Sequence, residues 1–322
     1  MLKDAHHRSI QYVRLSVTDR CNLRCTYCMP EHMQFLERDA LLSYEEIERT
    51  MRVLASAGVT KLRITGGEPF LRKNLLHLLG KLAPLTDISI TTNGVLTTPF
   101  IPALKELGIR KINLSLDTLQ ADRFLRITRR NRFTQVMATL ENLLAHQMDV
   151  KVNMVVMDGM NTDELHAFAA LTRENRLSVR FIEEMPFNGQ GKGFSGINWH
   201  YRKILDTLGE QYTLKKIQDE AGSTSLNYII PGHLGTVGVI PAYSRTFCGT
   251  CNRLRITPTG GVKTCLYGDD VMNIRDSLRS GASDAALLEA LQTAVWHKKK
   301  DGFEAAAASQ RSQHESMSVI GG

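Results

Sequence analysis

The chain has 322 residues, 43% of them hydrophobic, which is enough for one large domain or for a large domain with a smaller companion. Lysine and arginine total 40 against 33 acidic residues, and the net charge of +7 suits an anionic partner or an ordinary soluble surface. No apolar run approaches the roughly 20 residues of a membrane span, and the start MLKDAHHRSIQYVRLS has no apolar signal core. We therefore expect a cytoplasmic protein, in which thiols bind metals or react rather than form disulfides.

Short β-rich runs alternate with amphipathic helical runs through the first two thirds of the chain. The predicted strands are YVRLSV, KLRIT, DISIT, KINLSL, VKVNMVV and SVRFI. The predicted helices are one capped by Ser43 with Glu46, then Leu71–Leu82, Pro99–Leu107, Phe133–Gln147 and Thr162–Asn175. Strict alternation predicts parallel strands with right-handed crossovers. Six such units fit a partial barrel or an open doubly wound sheet, and periodicity does not choose between them.

After Pro186 the pattern changes to that of a smaller α+β domain, so we place a boundary between residues 1–220 and 221–322. The Gly-rich Phe187–Gly196 segment is predicted to be a loop. A helix near Trp199–Leu208, the strands LNYII, TVGVI and RLRIT, and helices near Asn273–Ser280 and Asp284–Lys299 follow. The polar end SQRSQHESMSVIGG predicts a flexible tail.

Three cysteines, Cys21, Cys25 and Cys28, directly follow the first predicted strand as C-x3-C-x2-C. Three thiolates on a 4Fe–4S cluster leave one iron without a protein ligand, free to bind a cosubstrate. Zinc would need a fourth ligand, for which His32 is the local candidate, and a disulfide with a spare thiol is a further alternative. Other polar segments also follow strands, at Thr65–Pro69, Thr91–Gly94, Ser115 with Asp117, and Met185. Because the carboxyl ends of parallel strands lie at the same edge of a sheet, we expect all of these segments at that edge, which would be the mouth of a barrel.

The other three cysteines, Cys248, Cys251 and Cys265, repeat the pattern of three thiols without a fourth. A second cluster is favoured, and a Cys3His zinc site using His233 or His297 remains an alternative. The turn at Gly260–Gly261 predicts that Cys265 pairs near Ile256, which would leave Cys251 about 16 Å further along the strand.

Cations at alternating strand positions predict an anion site. Arg253 and Arg255 share one face of a strand, and Arg14, Arg63 and Lys151 lie in or beside other strands. Guanidinium groups at such positions suit a triphosphate, whereas solvated surface arginines are the plain alternative.

The Cys21–Cys28 motif, with Tyr27 before the third cysteine and GGEP after the second strand, resembles the radical S-adenosylmethionine enzymes. The resemblance implies a partial, six-unit TIM-type barrel and a 4Fe–4S cluster whose open iron binds S-adenosylmethionine. Cleavage of that cosubstrate yields a 5′-deoxyadenosyl radical.

The segments RLSVTDRCNLRCTYCMP, LRITGGEPFLR and FCGTCNRLRITPTGGVKTCL together resemble the GTP 3′,8-cyclase family of molybdenum cofactor biosynthesis. The resemblance implies that Cys248, Cys251 and Cys265 hold a second 4Fe–4S cluster. It implies S-adenosylmethionine contacts at Tyr27, Gly67, Ser115 and Met185. It implies GTP contacts at Arg14, Arg63, Thr91, Lys151, Arg253, Leu254 and Arg255. It implies a catalytic tail at Gly321 and Gly322.

The same resemblance implies several partners. They are a one-electron donor such as flavodoxin or ferredoxin, a downstream cyclic pyranopterin monophosphate synthase and a second copy of the chain, with neither membrane nor nucleic acid. Two other functions stay open: a radical enzyme acting on a peptide or an RNA, and a non-catalytic metal or redox sensor.

Overall fold

A computed structural model describes residues 1–189, 194, 197–310 and 315–320. Gly321, Gly322 and part of the predicted Phe187–Gly196 loop lie outside these described residues. Within the described part of the chain, no helix has the length and apolar character that crossing a membrane requires.

Six parallel strands form the centre of the sheet and follow one another in chain order, which confirms the six predicted units. They are β1 (Tyr12–Ser16), β2 (Lys61–Thr65), β3 (Asp87–Thr92), β4 (Lys111–Ser115), β5 (Asp149–Val156) and β6 (Ser178–Glu183). A doubly wound sheet would reverse its strand order at a switch point. The sequential order instead matches a partial barrel.

The remaining strands extend this sheet at both edges. They are β7 (Lys215–Lys216), β8 (Leu226–Ile229), β9 (Thr236–Ile240), β10 (Arg253–Ile256), β11 (Gly261–Lys263) and β12 (Met272–Asn273). Strand β9 pairs in parallel with β6, and β10 pairs in parallel with β1. The two predicted domains therefore share one sheet among the described residues, and a boundary near residue 220 stays a prediction.

Most helices pack on the outer face of the sheet, whereas the last one lies beside Cys28. The helices are α1 (Tyr44–Ser56), α2 (Leu75–Leu82), α3 (Ile101–Glu106), α4 (Ala121–Thr128), α5 (Phe133–Ala145), α6 (Leu165–Ala170), α7 (Tyr201–Gly209), α8 (Ile274–Arg279), α9 (Asp284–Trp296), α10 (Gly302–Ala308) and α11 (Met317–Ile320). The capping box predicted at Ser43 and Glu46 is present. Helix α2 begins later than predicted because Asn74 takes a left-handed conformation with φ 60°. Helices α4, α10 and α11 are not among the predicted elements.

Side chains alternate strictly along the central strands, as the two-residue period of a strand requires. In β5, Val150, Val152 and Met154 are buried against the helices, whereas Lys151 and Asn153 point to the other side and are only half-buried. The apolar core thus lies between sheet and helices, and the polar positions face the barrel interior.

Candidate active site

The first cysteine trio lies in the loop that leaves the carboxyl end of β1, as predicted. Cys28 N–H and Met29 N–H both donate to the carbonyl oxygen of Cys25, at 3.0 and 3.1 Å, so the chain curls tightly between the second and third thiols. The Asn93 side-chain amide contacts Cys21 Sγ at 3.6 Å. All six cysteines of the chain are free and half-buried.

Two buried carboxylates face the first trio. Asp117 accepts a hydrogen bond of 2.8 Å from the Tyr27 hydroxyl, and Glu68 accepts one of 2.8 Å from Asn93 N–H. Burial raises the pKa of the Cys21 thiol to about 11, with the Glu68 charge adding to the rise. Burial also raises the pKa of the Cys28 thiol to about 12, and Cys21 and Asp117 contribute in the same direction. Thiolates form here only when a cation takes the place of the protons.

The loop after β2 touches the loop that carries the first trio. Gly67 N–H donates to Thr18 O at 2.7 Å, and Glu68 N–H donates to Arg20 O at 2.8 Å. A Cβ atom on Gly67 would lie 2.4 Å from Arg20 O and 2.6 Å from Asp19 O. Only glycine permits this approach, because backbone atoms cannot give way as a flexible side chain does.

The second trio is brought together by a hairpin shorter than the predicted one. Strands β10 and β11 pair Arg255 with Lys263 and Ile256 with Val262, so the expected pairing of Cys265 near Ile256 is wrong. The turn closes earlier because Thr257 N–H binds Gly261 O at 2.8 Å. Continuing the register places Cys265 opposite Arg253, only about 7 Å along the strand from Cys251.

The surroundings of the second trio are cationic. Burial raises the pKa of the Cys251 thiol, but the charges of Lys298 and Arg253 outweigh burial and bring the pKa down to about 7. The two trios therefore differ in electrostatics: two buried carboxylates and Arg24 lie beside the first, whereas Lys298 and Arg253 lie beside Cys251 of the second, with Asp301 near Cys248.

One cavity of about 290 Å³ is lined by both trios, which therefore share the mouth of the barrel. Most of the predicted ligand-binding side chains line it too: Tyr27, Gly67, Ser115, Met185, Arg14, Arg63, Thr91, Arg253 and Arg255. Lys151 is on the interior face of β5 but is not among the lining residues. Leu254 is fully buried on the opposite face of β10, so a contact from it would have to come from its backbone.

Several buried polar atoms on the cavity wall lack a hydrogen-bond partner among the described residues. They are Arg14 Nε, Arg180 Nε, Arg253 Nε and Nη1, Thr91 Oγ1 and Asn153 Oδ1. Buried polar groups in native proteins are nearly always paired, so these atoms indicate a ligand with many hydrogen-bonding atoms. Sequence reasoning missed Arg180 and Asn153, although Arg180 lies at an interior position of the strand SVRFI, the same signal that marked Arg14 and Arg63.

The guanidinium groups crowd one another. Burial is the largest cause that lowers the pKa of Arg63; Tyr12 opposes it, Arg14, Arg180 and Arg253 add to it, and the net pKa is about 9. Burial raises the pKa of Tyr12, yet Arg63, Arg14 and Arg253 reverse that effect and bring it to about 8. The interior of the barrel therefore has a concentrated positive potential that favours a polyanion.

The end of the chain returns to this mouth. Ser316 Oγ donates to the carbonyl oxygen of Cys28 at 2.8 Å, and Met317 N–H donates to the same oxygen at 3.2 Å. Ile320 is buried with Phe187 and Tyr267. The sequence predicts a flexible tail, whereas Met317–Ile320 form a short helix whose apolar side chains pack against residues far away in the chain.

The donor sets suit two iron–sulfur clusters. In such a cluster each thiolate binds a different iron, so the three sulfurs need not converge on one point. Among the described residues, no three His, Cys, Asp or Glu side chains are arranged around a single ion.

Comparison with known proteins finds relatives that match most of the chain. A family model described as Radical SAM superfamily matches residues 15–172, and one described as Molybdenum Cofactor Synthesis C matches residues 177–304. The GTP 3′,8-cyclase of Clostridium perfringens (strain 13 / Type A) is 39% identical over 313 residues, which cover 94% of this chain and 95% of that protein. The mitochondrial GTP 3′,8-cyclase of Arabidopsis thaliana is 41% identical over 305 residues, covering 93% and 78%.

Longer relatives match as well. Molybdenum cofactor biosynthesis protein 1 of Homo sapiens is 43% identical over 305 residues, which cover 93% of this chain and 48% of that protein. The chain thus spans about half the length of the animal relatives.

Solved structures share the fold at low sequence identity. Streptococcus suis SuiB bound to S-adenosylmethionine aligns with a TM-score of 0.58 at 16% identity, covering 87% of this chain and 67% of that one. The protein anSMEcpe with bound AdoMet aligns with a TM-score of 0.58 at 16% identity, covering 96% and 88%.

Proposed function

Because this chain belongs to the GTP 3′,8-cyclase family of radical S-adenosylmethionine enzymes, we propose that it cyclises GTP between ribose C3′ and guanine C8. The product would be a 3′,8-cyclised dihydroguanosine triphosphate, the first intermediate of molybdenum cofactor biosynthesis. The observation that supports this most is the set of unpartnered buried nitrogen and oxygen atoms on a cavity wall shared by both trios.

The first trio would hold a 4Fe–4S cluster with S-adenosylmethionine on its open iron. When bound, these groups supply a 5′-deoxyadenosyl radical that removes the 3′ hydrogen of the substrate ribose. The chain supplies the positioning: Gly67 lets the loop after β2 approach the cysteine loop, and Tyr27, Ser115 and Met185 line the space beside it.

The interior arginines would bind the triphosphate. Arg14, Arg63, Arg180, Arg253 and Arg255 line one wall, and guanidinium groups form paired, charge-assisted hydrogen bonds with phosphate oxygens. Lys151 adds positive charge to the same interior face. By fixing the phosphates, these side chains would hold C3′ of the ribose at a fixed place relative to the radical source.

The second trio, Cys248, Cys251 and Cys265, would hold a second 4Fe–4S cluster, which in the family binds the guanine. The tail at Gly321 and Gly322 would complete the site, since residues 315–320 already lead the chain to the first trio. A flavodoxin or ferredoxin donor, a downstream cyclic pyranopterin monophosphate synthase, a homodimer and a cytoplasmic location are further parts of this proposal.

The test uses anaerobically reconstituted protein with S-adenosylmethionine and GTP deuterated at C3′. We expect the deuterium to appear in 5′-deoxyadenosine and the nucleotide product to lack it. Cleavage of S-adenosylmethionine with all of the label retained in GTP would contradict the assignment of substrate. Competition binding tests the RNA alternative. We expect unlabelled GTP to displace labelled GTP from the protein, and an unstructured RNA to leave the binding of labelled GTP unchanged.

A further inference from the structure

Three consecutive lysines, Lys298 to Lys300, follow helix α9, and they differ sharply in their surroundings. Lys298 is only 4% exposed, whereas Lys299 and Lys300 are exposed. An ammonium group enters a protein interior only where an anion or several hydrogen-bond acceptors face it. The buried member of the run therefore has a specific role.

Lys298 links the two backbone segments that carry the last two cysteines. Its Nζ donates to the carbonyl oxygen of Thr264, the residue before Cys265, and to that of Arg253 at 3.3 Å. Arg253 lies two residues after Cys251. A single ammonium group thus fixes the chain beside two ligands of the second trio.

The third ligand is held in a comparable way from the amino-terminal segment. Arg8 Nη1 donates to the carbonyl oxygen of Cys248 at 2.9 Å and to that of Lys300 at 2.6 Å. The charge of Arg8 is balanced, because its Nε lies 2.6 Å from the buried Asp4 carboxylate. Within the described part of the chain, no carboxylate lies within ion-pair distance of Lys298, so its positive charge acts on the Cys251 thiol without a balancing carboxylate.

The first trio has a mixed environment, because Arg24 Nη1 donates to the carbonyl oxygen of Cys21 at 2.7 Å while two buried carboxylates lie close by. Glu68 is fully buried and Asp117 is 5% exposed, and both carboxylates lie beside the Cys21–Cys28 loop. A 4Fe–4S cluster with three thiolates is singly negative when oxidised and doubly negative when reduced. A nearby cation favours the reduced form and a nearby carboxylate disfavours it, because the added electron interacts with both.

We propose that Lys298 is a positioning residue for the second cluster, and that its positive charge makes this cluster the more easily reduced of the two. The proposal rests on the proposed function only in requiring a 4Fe–4S cluster on each trio. Reduction adds one electron to the second cluster, taken in the test from dithionite, and Lys298 stabilises the added negative charge.

The experiment is an anaerobic potentiometric titration of the reconstituted full chain with dithionite, followed by electron paramagnetic resonance. Lys298→Gln removes the charge but keeps a hydrogen-bond donor, and Lys298→Arg keeps the charge. Lys299→Gln is the matched control, since it removes the same charge one residue away at an exposed position. A variant with alanine at Cys21, Cys25 and Cys28 isolates the signal of the second cluster.

In the unsubstituted protein we expect the second cluster to have the higher midpoint potential. With Lys298→Gln we expect about a tenfold lower ratio of reduced to oxidised second cluster at a fixed potential. For a one-electron couple this corresponds to a midpoint potential about 59 mV lower. The first cluster, the Lys299→Gln variant and the Lys298→Arg variant should keep their potentials. An unchanged second-cluster potential, or equal shifts in both clusters, would overturn the proposal.

Iron analysis covers the case in which Lys298→Gln does not retain its cluster. About eight irons per chain correspond to two clusters. A fall to about four in Lys298→Gln, restored in Lys298→Arg, supports a holding role for the charge. A fall in iron content in both variants would show that cluster retention depends on the size and shape of the lysine side chain rather than on its charge, and would overturn the electrostatic proposal. Because none of these measurements needs GTP, failure of the proposed cyclisation would leave them interpretable.

Discussion

Replacing Arg63 by methionine should stabilise the ligand-free protein while weakening its binding of GTP. Arg63 is half-buried on β2, and desolvation is the largest cause that lowers its pKa from 12.5 to about 9, so folding disfavours its charged form. At about 1.36 kcal/mol for each pKa unit the lowered pKa corresponds to at most about 5 kcal/mol, and the remaining solvent contact of Arg63 reduces this to a few kcal/mol. The pKa of about 9 already includes the opposing effect of Tyr12, whose ring centre lies 5.5 Å from the guanidinium carbon, and Arg63 Nε also contacts Ser89 Oγ at 3.4 Å.

The direction of the change in unfolding free energy follows from proton linkage. A base whose pKa is lowered on folding destabilises the protein at every pH below the folded pKa, and the penalty disappears as the pH rises toward the unfolded value. At neutral pH the penalty from Arg63 is therefore fully present. Methionine keeps most of the apolar stem without the charge, so the free energy of unfolding should rise by up to several kcal/mol.

Binding should move the other way. A charge-assisted hydrogen bond contributes about 1.5–3 kcal/mol, so losing Arg63 should weaken GTP binding by about 10- to 150-fold. The assays are urea unfolding of the anaerobic protein without nucleotide and equilibrium dialysis with GTP. Arg176→Met is the control, because Arg176 is exposed and precedes β6. A variant that is less stable than the unsubstituted protein and binds GTP normally would refute the reasoning.

Two further predictions concern backbone positions. Gly67→Ala should displace the first cysteine loop, because the new Cβ would lie 2.4 Å from Arg20 O. We expect the variant to lose the iron of the first cluster and to keep that of the second. Full iron content would contradict this prediction. Removing Gly321 and Gly322 should abolish cyclisation and leave about eight irons per chain; normal product formation by the truncated protein would disprove a catalytic tail.

The barrel and its mouth follow from local patterns. Six strands of period two, separated by helices, predict parallel pairing, and motifs that follow strands must then meet at one edge. Arg14 and Arg63 could be predicted because a cation at an interior strand position has few structural uses. Arg180 carries the same signal in β6, so it was predictable in principle.

Other features depend on contacts between distant segments. The three lysines at 298–300 look alike in sequence, and only the packing of the turn after α9 on Thr264 and Arg253 makes one of them buried. The docking of Ser316 on Cys28 joins residues 288 positions apart. No local periodicity encodes either contact, because each joins segments that are far apart in the chain and meet only in the folded protein.

The register of the hairpin formed by β10 and β11 determines how close the thiols of the second trio lie. A turn centred on Gly260–Gly261 and a turn closed by Thr257 differ by only a few residues, yet the first separates the thiols and the second gathers them. The left-handed conformation of Gly260, φ 87°, lets the chain reverse early enough to place Cys265 opposite Arg253. Register, rather than spacing along the chain, therefore decides whether C-x2-C-x13-C can hold one cluster.

The crowded cations connect stability with binding. Five buried or half-buried arginines that repel one another are a cost in the ligand-free protein, and unpaired buried donors add to it. A polyanion that pairs with them removes both costs at once, so its binding free energy should appear directly as a gain in folding stability. GTP should therefore raise the unfolding midpoint more than GMP does, because only the triphosphate is long and charged enough to reach several of these arginines together.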